Sequence, residues 1–110
     1  DAYYAKAEQV RRMMRGELAT QFKTVDLILT PTAPSPAFKF GEQADPLSMY
    51  RQDIFTVPVN LTGVPAISIP GGVVDRGGAS LSVGVQYIAP HAGEERLFDI
   101  GKKMYDNTLA

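Results

Sequence analysis

The 110-residue chain has no cysteine, no tryptophan and a single histidine, His91. Without cysteine there are no disulfides, thiolate nucleophiles or cysteine-ligated metals. One imidazole provides no histidine pair for zinc. An excess of one charge is also missing, since eleven Lys and Arg stand against twelve Asp and Glu for a net charge of −1. A domain built to grip phosphate backbones needs a basic surplus. No stretch has the pattern of a signal or transit peptide. The longest uncharged run, Ile54 to Val74, holds three prolines and three glycines, which forbid one long helix or a membrane span.

That run is the most informative feature present. Its apolar content predicts burial as short pieces joined by fixed bends. Asp53 stands at its near edge and Asp75 at its far edge. A lone acid at the mouth of such a path is where the cationic group of a ligand can be held.

Around the run, the pattern gives helix, strand, helix, two strands, helix. Residues 2 to 23 read as an amphipathic helix with Tyr3, Ala7, Val10, Met14 and Leu18 on one stripe. Glu8 and Arg12 stand four apart in the favourable order. The basic residues Lys6, Arg11, Arg12 and Arg15 cluster here, as a solvated face or as a contact for RNA or an acidic partner. Val25 to Thr30 reads as a buried strand ended by Pro31, and Pro31 to Gly41 as an extended loop. Asp45-Pro46 looks like an N-cap with proline at the first helical position, opening a helix to about Asp53. A second helical piece, bent at Pro58, is expected before Gly63. Ala66 to Ile69 and Leu81 to Ile88 read as strands of a hairpin turning at Asp75-Arg76-Gly77-Gly78. Glu94 to about Asn107 reads as a closing helix with Leu97, Phe98, Gly101, Met104 and Tyr105 inward, and with Lys102 and Lys103 near its end to suit the dipole.

Catalytic signals are sparse. Serines are plentiful, but the lone His91 lies in a loop with nothing to place it beside one. Gly77-Gly78-Ala79-Ser80 is hairpin chemistry before it is a nucleophile loop. Asp26, Glu42, Asp45, Asp53 and Asp75 are the candidate carboxylates. Asp26 falls on a strand and Asp45 is a cap, and Asp53 alone adjoins the uncharged run. On pattern, Asp53 serves equally as half of a helix-end ion pair or as a ligand group.

Several blocks match a known family. They are Tyr3-Tyr4 with Lys6-Ala7 and Val10-Arg11, Val25-Asp26-Leu27-Ile28-Leu29-Thr30-Pro31-Thr32-Ala33-Pro34, Asp45-Pro46-Leu47-Ser48-Met49-Tyr50, Asp53-Ile54-Phe55-Thr56-Val57-Pro58-Val59-Asn60-Leu61-Thr62-Gly63-Val64-Pro65-Ala66-Ile67-Ser68-Ile69-Pro70, and Gly84-Val85-Gln86. This series resembles the C-terminal part of the amidase signature family. Within it, the blocks are similar to the branch formed by the glutamine-hydrolysing subunits of tRNA-dependent amidotransferases. Gly71, Ser82 and Ala89 depart from residues frequent in the family, often cysteine, proline and glycine in turn, and the Val73–Leu81 turn is longer than expected.

The resemblance implies an α/β fold: the C-terminal part of the amidase signature fold, a mixed β-sheet with about three strands here, covered by α-helices. It implies that residues 1–110 form a single segment of an amidase domain in a longer chain. It implies a glutaminase component, the A-subunit, that hydrolyses glutamine and passes ammonia to a B-subunit. The B-subunit amidates misacylated tRNA, and a small C-subunit braces the two. Glutamine, the B- and C-subunits and, through the complex, tRNA are then the partners, with no membrane. The setting is the bacterial cytoplasm or an organelle. ATP and Mg serve the assembly, with no cofactor in this segment. A Ser–cis-Ser–Lys triad does the covalent chemistry, and no residue here matches it. By position, Asp53 matches the acid that holds the α-ammonium of glutamine. A general amidase acting on another amide, and a non-catalytic module binding tRNA or a partner subunit, are the alternative readings.

Overall fold

The computed structural model describes residues 1–43 and 45–109. The elements are α1 (Ala2–Gln21), β1 (Ile28–Pro31), α2 (Pro46–Gln52), α3 (Val57–Thr62), β2 (Ala66–Arg76), β3 (Ala79–Ile88) and α4 (Glu94–Leu109). The three strands form one antiparallel sheet in the order β1-β3-β2. A two-residue turn joins β2 to β3. Gly77 and Gly78 both have positive φ, +60° and +84°, as this tight turn requires of its central pair. Asp75 Oδ1 accepts a 3.1 Å hydrogen bond from the Gly78 amide and closes it.

The sheet has two unlike faces. Strand alternation puts Ile67 and Ile69 of β2 with their partners Tyr87 and Val85 of β3 on one side. There α4 packs, and Gly101 lets the helix come so close that a Cβ would stand 3.0 Å from Ile67 Cδ1. Ile69 and Leu97 are buried in this layer. The other side carries Thr30, Ser68 and Gln86, aligned across all three strands by the register Thr30↔Gln86↔Ser68. The turn between α2 and α3 sits over this polar side.

The helices form for local reasons. Asp45 caps α2 through its carboxylate, which accepts the Ser48 amide at 3.2 Å, and Pro46 supplies the first helical residue. Pro58 lies in the first turn of α3 and opens that helix instead of bending it, because a first-turn proline sacrifices no intrahelical bond. Helix α1 packs against α3, and Arg15 Nε donates to the Thr62 carbonyl at 3.2 Å.

Several expectations change. Strand β1 begins at Ile28, and Asp26 lies before it, exposed. Strand β2 runs on past Ile69 to Arg76, through a register shift between Pro70 and Gly72. That bulge lets an extended ladder survive a proline. In α1 no residue is buried; Met14 and Leu18 are half-covered, while Tyr3 is 92% exposed. Arg11, not Arg12, pairs with Glu8, at 2.9 Å. In α4, Leu97 and Gly101 face inward as expected, but Phe98 is 67% exposed and Tyr105 is also exposed. Because α4 continues to Leu109, its last turn has no basic residue. Lys102 donates instead to Asp106 at 2.6 Å, and that hydrogen bond, then the charge, raises its pKa.

The apolar run is not covered either. Ile54, Val57, Leu61, Val73 and Val74 are exposed, and only Thr62 and Ile69 within it are buried. The chain exposes 8174 Å², whereas a compact monomer of 11.9 kDa exposes about 5,900 Å² by surface scaling. Its radius of gyration is 16.4 Å against about 13 Å for a compact domain of this length. The molecule is a slab 17 Å thick, the depth of a sheet and one layer of helix.

Leu97 and its neighbour Phe98 give a direct test of the layer. Leu97→Ala is expected to cost about 2–3 kcal/mol in urea unfolding, and Phe98→Ala under about 0.5 kcal/mol. Equal losses would mean that α4 is rotated relative to this packing.

Candidate functional site: a hydroxyl-lined hollow beside Asp53

The polar side of the sheet carries a built cluster. Thr32 continues β1 by donating its amide to the Gly84 carbonyl at 3.2 Å. Thr32 Oγ1 and Ser68 Oγ lie 2.6 Å apart, joined by a hydrogen bond above Gly84. Gly84 is required there: a Cβ would stand 2.7 Å from Thr32 Oγ1 and 2.9 Å from Ser68 Oγ. One step along the sheet, Gln86 is 5% exposed. Its Nε2 donates to Thr30 Oγ1 at 2.9 Å and to the Phe55 carbonyl at 3.0 Å. Thr30 Oγ1 donates its own proton to the Pro31 carbonyl at 2.9 Å. No buried side-chain nitrogen or oxygen among the described residues is left without a partner.

Asp53 caps the C-terminus of α2. Its carbonyl accepts the amides of Thr56 and Val57 at 3.1 and 3.0 Å, so one residue closes α2 and starts α3. It is exposed and lines a hollow of about 440 Å³, whose hydroxyls come from Thr32, Ser35, Ser68 and Ser82 and whose apolar wall includes Phe38 and Val83. Ser35 Oγ bridges to Gln52 Oε1 at 3.3 Å and ties the proline-rich loop to α2. A second hollow of about 400 Å³ beside Asp53 is lined by Tyr50, Arg51, Ile54, Val57 and Pro58. Asp53 is the one carboxylate lining either hollow, and it takes part in no ion pair among the described residues. A carboxylate at a helix C-terminus adds to the partial negative charge of the last carbonyls. Arg51 in the same last turn offsets part of that charge, and the Asp53 carboxylate is left open to an ammonium or guanidinium.

The other candidate acids do not converge with Asp53. Asp45 is an N-cap, as expected, and Asp75 holds the hairpin turn. Glu42 pairs with Arg76 and accepts the Lys39 amide at 2.7 Å. Asp26 stands 4.0 Å from Arg96. His91 lines a larger hollow of about 620 Å³ between α1, the end of α3 and Pro90, together with Arg15 and Lys23. That hollow is mainly apolar and brings no acid or serine to the imidazole. Among the described residues no group of His, Asp and Glu is placed to hold a metal. Among the described residues no helix is long and apolar enough to cross a membrane.

Sequence reasoning does not single out Gln86, Thr32, Ser68 or Gly84 as site residues. A signal is present nonetheless. From Ser82 to Ile88, the second face of β3 reads Ser, Gly, Gln, Ile, and a glutamine at an inward strand position beside the buried Ile88 marks a polar group that needs partners.

The fold is that of an amidase. The amidase family model matches residues 1–98, and the chain belongs to that family. It is 54% identical over 98 residues to the A-subunit of glutamyl-tRNA(Gln) amidotransferase from Deinococcus radiodurans, covering 88% of this chain and 20% of that protein. It is 46% identical over 108 residues to the corresponding protein of Chromohalobacter salexigens, covering 98% and 21%. The crystal structure of the same amidotransferase component from Thermotoga maritima superposes with a TM-score of 0.79 at 47% identity, over 88% of this chain and 21% of that one. The chain thus spans about a fifth of the length of the relatives it matches. These relatives are enzymes of the amidase family, each the A-subunit of a tRNA-dependent amidotransferase.

The close approach at Gly84 can be tested on its own. Gly84→Ala is expected to push Thr32 and Ser68 beyond hydrogen-bond reach of each other in a crystal structure and to cost about 1–3 kcal/mol in thermal unfolding. A retained hydroxyl pair would show that the strands can shift to admit the methyl group.

Proposed function

We propose that this chain supplies one wall of the glutamine pocket in the glutaminase component of a tRNA-dependent amidotransferase. The observation that carries the reading is Asp53: a carboxylate without an ion-pair partner among the described residues, at a helix C-terminus, at the mouth of a hydroxyl-lined hollow. Glutamine is a zwitterion, and its α-ammonium needs an anion. Asp53 supplies it, and the donors and acceptors of Thr32, Ser35 and Ser68 suit the polar remainder of the ligand. The similarity to named amidotransferase components at 45–54% identity supports the substrate class.

In this reading the chain binds and orients, and the amide bond is broken by groups outside it. The one serine hydroxyl that meets a carboxylate among the described residues, Ser48 with Asp45 at 3.2 Å, belongs to the exposed N-cap of α2. Released ammonia goes to the B-subunit, with the C-subunit bracing the pair, and tRNA is met through the assembly. ATP and Mg act at that distant step. The setting is the bacterial cytoplasm or an organelle. The large exposed apolar area, including Ile54, Val57 and Leu61, is the surface that the rest of such an assembly covers.

The experiment is glutaminase kinetics of Asp53→Asn in the full-length protein within its complex. Loss of one charge-assisted contact predicts a KM for glutamine roughly 10- to 100-fold higher, with kcat changed much less. An unchanged KM would remove the assignment. Equal rates on glutamine and on simple aliphatic amides would point to a general amidase.

A further inference from the structure

The α2–α3 turn that carries Asp53 lies over the sheet, yet no backbone hydrogen bond among the described residues joins residues 45–63 to a strand. Its bonds to other segments come from side chains. Ser35 reaches Gln52 from the loop, Arg15 reaches the Thr62 carbonyl from α1, and Gln86 reaches the Phe55 carbonyl from β3. Of these three donors, Gln86 alone is buried, and it alone springs from the sheet. Phe55 is two residues past Asp53, inside the turn closed by the Asp53 carbonyl.

We propose that Gln86 is a positioning residue for glutamine binding: its amide fixes the height and angle at which Asp53 meets the ligand. The inference rests on the assignment of Asp53 to the ammonium of glutamine. The chemistry selects glutamine at position 86. Its Nε2 carries two protons, which serve two acceptors on different elements, Thr30 Oγ1 and the Phe55 carbonyl. A carboxylate of the same size would face the Phe55 oxygen with no proton to share. A displacement of about 1 Å in a group that holds a substrate is enough to change its use by as much as roughly a hundredfold. Gln86 itself lies under the turn and does not line the hollow at Asp53.

The test uses the full-length protein in its complex, with four variants. Gln86→Met keeps the volume and removes both donors. It is expected to raise the KM for glutamine about tenfold while kcat stays within about threefold. Gln86→Glu, an independent variant, is expected to do the same. Thr30→Val removes one partner of Gln86 and leaves the Phe55 bond. It is expected to lower the melting temperature as much as Gln86→Met does, with the KM unchanged. The double variant Asp53→Asn with Gln86→Met is expected to show no higher KM than Asp53→Asn alone, because Gln86 acts through Asp53. The proposal is overturned if both Gln86 variants keep the wild-type KM, if they lose kcat and assembly together with KM, if Thr30→Val raises KM equally, or if the double variant multiplies the effects. If Asp53→Asn itself leaves KM unchanged, the glutamine reading fails first. A raised KM in Asp53→Asn beside a normal KM in both Gln86 variants sinks the positioning role alone.

Discussion

One buried amide holds the arrangement together. Gln86 sits in the middle strand of three and commits both Nε2 protons to groups from different elements. A side-chain amide sealed from water must find such partners or lose about 1–3 kcal/mol for each unmet group. The need is mutual, since the Phe55 carbonyl lies in a short turn between two brief helices. The polar bond therefore ties the α2–α3 turn to the strands, while Arg15 and Ser35 hold its two ends from α1 and the proline-rich loop.

The rest follows from the unlike faces of a thin sheet. On one side, apolar alternation and the close approach at Gly101 seat α4. On the other, Thr30, Thr32, Ser68 and Gln86 make a polar floor that a hydrophobic layer cannot cover without stranding hydroxyls. That floor is where a polar ligand can be received. The same division explains the large exposed surface: a slab 17 Å thick has too little depth to bury aromatic side chains from α1 or the apolar run. The relatives, about five times longer, have the mass to cover them.

Much of this is legible in the residues. Asp45-Pro46 announces a capped helix and Gly77-Gly78 a tight hairpin, because each depends on one or two residues and local geometry. The α/β class and the amidase resemblance also hold. Burial is harder to read. The stripe on α1 and the run after Asp53 are apolar by composition, but composition does not say which element covers them. Phe98 and Leu97 are neighbours of similar hydropathy, and only the position of the sheet decides between them. Asp53 stands out in the sequence as the acid of interest, and the structure sets it at the edge of the hollow. The hydroxyl pair and the buried glutamine escape a linear reading because their meaning lies in cross-strand register, which joins residues 36 and 56 positions apart.

Strand β2 has an outer side that no strand covers among the described residues. Eleven residues of open ladder would ordinarily invite another chain to zip along it. Pro70 offers no amide there, and the register slips by one residue before Gly72. The edge is thereby cut into two short docking rails that are out of phase. A newcomer could follow Ala66–Ile69 or Gly72–Arg76, but a straight strand could not ride both, so accidental stacking into fibrils is checked.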